Sequence, residues 1–188
     1  MKRWSIVFLL IIPLITSCGS KKQSGAANQG TTSSAQLQYN LPEGWIPETP
    51  ATSMRKAQFE LPGTGGAAPA DLAIYNFPGT GGSVQANLQR WYGQFKQPDG
   101  RSTQEVAQTQ TLTVNDLPVT VVYVTGTYLQ PQSPMQMGGP TVDKPDYAML
   151  AAIVKNGDSP WFVKVTGPQA TVDHWRDAFN QFVRSFHF

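Results

Sequence analysis

Between residues 172 and 186, six apolar side chains (Val172, Trp175, Phe179, Phe182, Val183 and Phe186) recur at helical spacing, while Asp173, Arg176, Asp177, Asn180 and Arg184 take the other side. A helix with one such stripe is stable only when the stripe is covered, so the chain has to supply a broad apolar surface for it. Pro168 behind Gly167 suits a first helical turn, and Asp173 and Arg184 sit toward the dipole ends that favour them. Trp175 and Phe179 are expected to be buried, with truncation of either to alanine costing about 3–5 kcal/mol. A second stripe runs over 84–95 through Val84, Leu88, Trp91, Tyr92 and Phe95, with Ser83 placed to cap the free amides.

The covering surface has to come from strands. Segments 57–61, 71–77, 106–114, 119–128, 148–155 and 161–166 alternate or are β-branched, and Asn115-Asp116 and Asn156-Gly157 supply short turns between neighbours. Strands joined by short turns pair antiparallel. The expectation is an α+β fold, an antiparallel sheet of about six strands with one inserted helix and one C-terminal helix. Each helix needs a sheet face beneath it, and spacing alone leaves open whether both use the same face.

The start of the chain reads differently. Lys2 and Arg3 precede an apolar run over 6–15 broken only by Pro13, and Ile15-Thr16-Ser17-Cys18 follows. This is the pattern of a secretory signal peptide. Its ten residues would make a helix of roughly 15 Å, about half a hydrocarbon core, which is too short to span. The last four residues resemble the lipobox of bacterial lipoproteins. That resemblance implies that residues 1–17 are a cleaved leader and that Cys18 is linked to diacylglycerol and N-acylated, for instance with palmitate. Two or three acyl chains hold a protein on a bilayer for practical purposes permanently, whereas one does not. Gly19 stands where an aspartate would, by the same resemblance, favour the inner membrane. An extracytoplasmic, lipid-anchored location follows, at the outer membrane if the source has two membranes.

Residues 19–36 contain no apolar side chain larger than alanine. Such a segment cannot bury enough surface to offset the entropy of ordering, and as a coil it spans about 23 Å. The expected organisation is therefore a leader (1–17), a lipidated cysteine with its tether (18–36), and one domain (37–188). Lipidation uses the only cysteine, which excludes a disulfide and a catalytic thiol. The formal charge of +2 also comes from outside the domain. With Lys2, Arg3, Lys21 and Lys22 set aside, ten basic groups face twelve acidic ones. Nucleic acid is accordingly not an expected partner.

Several stretches resemble the Mog1/PsbP-like α/β/α sandwich domains: the opening Tyr39-Asn40-Leu41-Pro42-Glu43-Gly44-Trp45, the strand Trp161-Phe162-Val163-Lys164-Val165-Thr166-Gly167, and the ending Phe182-Val183-Arg184-Ser185-Phe186. Ser53-Met54-Arg55 and Asn87-Leu88-Gln89-Arg90-Trp91-Tyr92-Gly93-Gln94 are similar to a group of uncharacterised bacterial lipoproteins with that fold. The resemblance covers most of 39–188. It implies a non-catalytic binding or assembly subunit, with a ligand that differs between members.

Chemistry-bearing patterns are sparse. There is no Gly-x-Ser-x-Gly elbow, and His174 and His187 both lie on the closing helix among solvated residues. Asp173 and Asp177 share a helical face beside Arg176, as on a solvated surface. A hydrolase of an envelope polymer would need His174 or an Asp pair to meet a hydroxyl in a pocket. No Cys/His/carboxylate cluster has zinc spacing, and no cofactor is expected. Met135 and Met137, with Met149 on the next strand, offer soft thioethers for Cu(I), although methionine equally fills gaps beneath loops. Gly79, Gly81, Gly82 and Ser83 lead from a strand into a helix, where amides can cradle an anion, or they are plain turn glycines. Arg90, at the edge of its stripe, reads as a partner of a carboxylate or of Gln94, or as a ligand residue. The segment 129–145 contains Pro131, Pro134, Met135, Met137, Gly138, Gly139 and Pro140, and reads as a long loop suited to an envelope-protein partner. The expected function is a membrane-anchored, non-enzymatic binding or assembly module.

Overall fold

The computed structural model describes residues 36–132 and 139–188. They build one antiparallel sheet of eight strands: β1 (Ile46–Glu48), β2 (Arg55–Leu61), β3 (Ala70–Asn76), β4 (Phe95–Lys96), β5 (Gln108–Val114), β6 (Leu117–Pro131), β7 (Thr141–Val154) and β8 (Trp161–Pro168). Four helices accompany it: α1 (Val84–Tyr92), the single turn α2 (Thr103–Val106), α3 (Gln169–His174) and α4 (Arg176–Arg184). The spatial order is β1-β2-β3-β8-β7-β6-β4, with β5 also paired to β6. The expected sheet of about six strands is thus too small. All six expected strands are present, and β1 and β4 are additional.

Strand alternation sorts the core into two layers. On β7, Ala148, Leu150, Ala152 and Val154 face one layer, while Met149, Ala151 and Ile153 face the other. Burial on both sides explains why this strand reads as a continuous apolar run. Val172, Phe179, Phe182, Val183 and Phe186 of the closing segment pack on the first layer with Leu37 and Trp45. Leu88, Trp91 and Tyr92 of α1 pack on the second. The helices therefore lie on opposite faces of the sheet, an α/β/α arrangement.

Local chemistry explains the element ends. Ser83 caps α1, its hydroxyl accepting from the Ala86 amide. Asn115 and Asp116 both have positive φ, 46° and 65°, as a two-residue turn matched to strand twist requires. The start of the domain is tied to its end: the Gln38 and His187 backbones exchange two hydrogen bonds, 2.9 and 3.2 Å.

Two expectations need correcting. The described residues of the segment 129–145 are mostly strand rather than loop, because β6 and β7 pair as far as Pro131 opposite Thr141. Its described prolines do not interrupt the ladder: Pro131 closes β6, Pro140 precedes β7 and accepts from the Gln132 amide at 3.1 Å, and Pro145 lies at the irregularity between Tyr128 opposite Lys144 and Gly126 opposite Tyr147. Strand ends and bulges are the positions where a missing N–H costs nothing.

The closing helix is also interrupted, at Trp175 (φ −89°, ψ 2°), and Trp175 is only half-buried. Its indole N–H donates to the Pro62 carbonyl at 2.9 Å. Its ring lies over Gly44, where φ is +87° and a Cβ would come within 2.8 Å of it. Trp175 is therefore a clamp on the chain entry rather than a core anchor. We expect Trp175→Ala to lower unfolding free energy by about 1–2 kcal/mol, roughly one hydrogen bond and part of an aromatic surface, as read by urea denaturation.

Candidate functional site

Helix α1 has only nine residues, and the face it lies on carries polar side chains beyond its cover. Lys164 of β8 stands directly opposite Ala73 on one neighbouring strand and Ala151 on the other. With two methyl groups as neighbours, its stem is free to lie along the sheet. Its ammonium donates to Gln94 Oε1 and sits 5.6 Å from the centre of the Tyr128 ring. Burial above all, and then the positive charge of Arg90, push the Lys164 amine down to about 8, with Arg55 adding to the effect and Asp71 opposing it.

The residues around it come from five other elements. Arg55 Nη1 of β2 is 3.0 Å from each carboxylate oxygen of Asp71 on β3, and Arg55 stands opposite Tyr75 across the β2–β3 pair. Burial raises the phenols of Tyr75 and Tyr128, so both are neutral donors at physiological pH. Tyr128 stacks on Tyr147 at 6.1 Å, and Tyr75 on Phe77 at 6.0 Å. Arg90 of α1 donates to Asn87 Oδ1.

The glycine turn has its place in this arrangement. Asn87, 2% exposed, donates to the Gly81 carbonyl at 2.7 Å and the Ser83 carbonyl at 2.8 Å, which aims its Oδ1 at Arg90. A Cβ on Gly81 would lie 2.3 Å from Pro160 Cγ, so glycine lets the turn sit against β8. The Gly79 amide is taken by the Asp158 carbonyl at 2.7 Å, and the Ala86 amide by the Ser83 hydroxyl. Gly79, Gly81, Gly82 and Ser83 thus brace Asn87.

Charge balance distinguishes the cluster. All twelve acidic residues of the chain lie within the described segments. The ion pairs among them are Arg55–Asp71, Lys96–Asp143 and Arg101–Asp99. No carboxylate lies within 4.0 Å of Lys164 or Arg90. Three cations surround a single carboxylate, which one of them already occupies.

The other candidates are dispersed. Both histidines are exposed: His174 packs edge-on against Trp175 at 4.9 Å, and His187 Nδ1 lies 2.9 Å from the Ser185 carbonyl. Asp173 does meet a hydroxyl, that of Tyr123, whose phenol is pushed up by burial and by Asp173 itself. Arg176 covers the Tyr123 ring at 4.3 Å, so this group fastens the closing helices to the sheet. Asp177 is exposed. Met149 is fully buried in the α1 layer. Among the described residues no three His, Cys, Asp or Glu side chains are grouped to hold a metal ion. Pro131, Gly139 and Pro140 lie at the end of the β6–β7 hairpin, whereas Pro134, Met135, Met137 and Gly138, like Cys18 and the tether, lie outside the described residues.

Sequence reading missed Arg55, Asp71, Tyr75, Tyr128 and Lys164. One signal was present: Lys164 interrupts the α1-facing positions of a strand whose other face, Trp161, Val163 and Val165, is wholly apolar.

No protein-family model matches the chain, and neither does any curated protein. Among solved structures it is similar to a protein of unknown function from Pseudomonas aeruginosa, at 12% identity and a TM-score of 0.46, covering 80% of this chain and 95% of that one. It is also similar to cyanobacterial PsbP (CyanoP) from Synechocystis sp. PCC 6803, at 13% identity and a TM-score of 0.44, covering 92% and 98%. The sandwich itself is defined by its strand pairing and its two cores.

Proposed function

We propose that the protein is a lipid-anchored, extracytoplasmic, non-enzymatic binding module. Cys18 holds it on a membrane, and the α1 face around Lys164 receives its ligand. The supporting observation is the convergence of six elements on a polar cluster whose two cations, Lys164 and Arg90, lack a carboxylate partner. A domain gains no stability from holding the half-buried Lys164 without a counter-charge, so its presence beside the exposed Arg90 reads as recognition. The lipobox at Ile15-Thr16-Ser17-Cys18 supports the anchor, and Gly19 supports the outer membrane in a two-membrane cell.

Two measurements test this. Metabolic labelling with an alkynyl palmitate is expected to mark the wild-type chain and not Cys18→Ser, which should leave the membrane fraction; label retained on Cys18→Ser would overturn the anchor. Ligand-observed NMR with a panel of small charged and neutral solutes is expected to find binding that Lys164→Met removes. Binding indifferent to that change would place recognition elsewhere.

A further inference from the structure

We infer that the Lys164–Arg90 cluster binds an oxyanion, a phosphate or carboxylate group, seated between the Lys164 ammonium and the Arg90 guanidinium against the Tyr128 ring. This names the ligand class and rests on the binding reading above.

A partly buried cation is ordinarily compensated by a carboxylate, because a neutral acceptor orients it without neutralising it. Lys164 is such a cation, and its acceptor is the neutral amide Gln94 Oε1; the exposed Arg90 is likewise held by a neutral amide, Asn87 Oδ1. The missing carboxylate cannot come from elsewhere in the chain, since residues 1–35 and 133–138 contain no Asp or Glu. The charged and titratable groups on this face are Arg55 (β2), Asp71 and Tyr75 (β3), Arg90 and Tyr92 (α1), Tyr128 (β6), Lys144 opposite it and Tyr147 (β7), and Lys164 (β8). Glu60 stands opposite Asp71, two strands from Lys164. The only carboxylate beside the cations is Asp71, already bonded through both oxygens to Arg55. Arg90 engages Asn87 through one terminal nitrogen and has further donors, the fork suited to planar oxyanions. Asn87 is itself buried and fixed by two carbonyls, so Arg90 is held from below while Lys164 approaches from the sheet. Tyr128, stacked on Tyr147, forms an aromatic wall beside the Lys164 ammonium.

The sign of the pH dependence follows. Lys164 is protonated below about 8 and loses its charge above it, so anion affinity falls as pH rises through that value. A bound anion favours the ammonium and therefore raises the amine's titration point.

Competitive acylation of the full-length lipidated chain in neutral phosphatidylcholine nanodiscs reads this directly, because only the free amine reacts. The probes are inorganic phosphate, acetate, phosphatidylglycerol added to the bilayer, and a neutral methyl glycoside. Inorganic phosphate or acetate is expected to slow labelling of Lys164 at pH 8 about fivefold, the effect at that pH of raising a titration point of about 8 by one unit. Labelling of the exposed Lys56 and Lys155 should be unchanged, and Arg90→Gln should abolish the protection. Protection by phosphatidylglycerol alone supports the inference and assigns the oxyanion to a lipid headgroup. Protection by the glycoside and by no anion overturns the oxyanion and leaves the binding module standing. Protection by none of the probes overturns both.

Discussion

Phe182→Ala is expected to lower unfolding free energy by about 3–5 kcal/mol. Phe182 is 1% exposed and touches rings on four sides, with centroids 4.9 Å from Tyr39, 5.0 Å from Trp45, 4.9 Å from Phe186 and 6.4 Å from Phe179. Truncation removes the transfer term of a large aromatic and leaves a cavity lined by rings that cannot collapse into it. Tyr39 and Phe186 are held by the Gln38–His187 bridge between the two ends of the domain, and Trp45 by the Gly44 turn beneath Trp175. Aromatic pairing adds about 0.5–1.5 kcal/mol beyond the buried area, which puts the loss toward the upper end. Urea denaturation of the full chain, followed by tryptophan fluorescence, measures it. Phe188→Ala, at a position 38% exposed, serves as control and should change stability by no more than about 0.5 kcal/mol. A loss below about 1 kcal/mol for Phe182→Ala would mean that α4 does not hold the first core layer.

That layer was legible because its information is local. Phe179, Phe182, Val183 and Phe186 repeat at helical spacing, and burial follows from the period alone. The six longer strands were legible for the same reason, and Asn115-Asp116 marked its hairpin because few residues tolerate two successive positive φ values. What was illegible lacked a period or depended on distant partners. β1 has three residues, one of them Pro47, and β4 has two; neither is long enough to alternate. The prolines of 129–145 read as strand breakers because their safe positions, at the hairpin end and the bulge, are defined only once β6 and β7 are paired. Trp175 matched the buried stripe by spacing, but the break in the helix turned it toward Gly44. The polar cluster was hidden most completely. Its members lie as far apart as Arg55 and Lys164, and they meet only because β3 and β8 are neighbours in the sheet. Arg90 was singled out, but its holder Asn87 and its companion Lys164 were not.

Lys164→Met is expected to move stability in the opposite direction. The Lys164 amine titrates near 8 in the folded domain against an ordinary value of 10.5. Its folded value is depressed, so the folded state binds fewer protons than the unfolded chain between those two pH values, and stability rises with pH across that window. Below about pH 8 the penalty of holding the ammonium against the sheet is fully present. The difference in titration point corresponds to about 3 kcal/mol. Because the side chain is partly reached by solvent, which screens it, we expect about 1–2 kcal/mol. Methionine matches the length of the stem, fits between Ala73 and Ala151, and carries no charge to desolvate. At pH 7 the variant should therefore be more stable than wild type by that amount. The gap should narrow from pH 8 and nearly close by 10.5, above which the wild-type lysine is neutral in both states. Urea midpoints of the two chains at pH 7, 8, 9 and 10.5 measure it. A variant no more stable than wild type at pH 7, or a gap independent of pH, would refute the account of Lys164 as an unneutralised cation. Phosphate at a concentration that protects Lys164 from acylation should stabilise wild type and leave the variant unchanged, because ligand binding adds stability only to the state that binds it. A residue that costs stability when empty and restores it when occupied is what a binding site retains and a structural core does not.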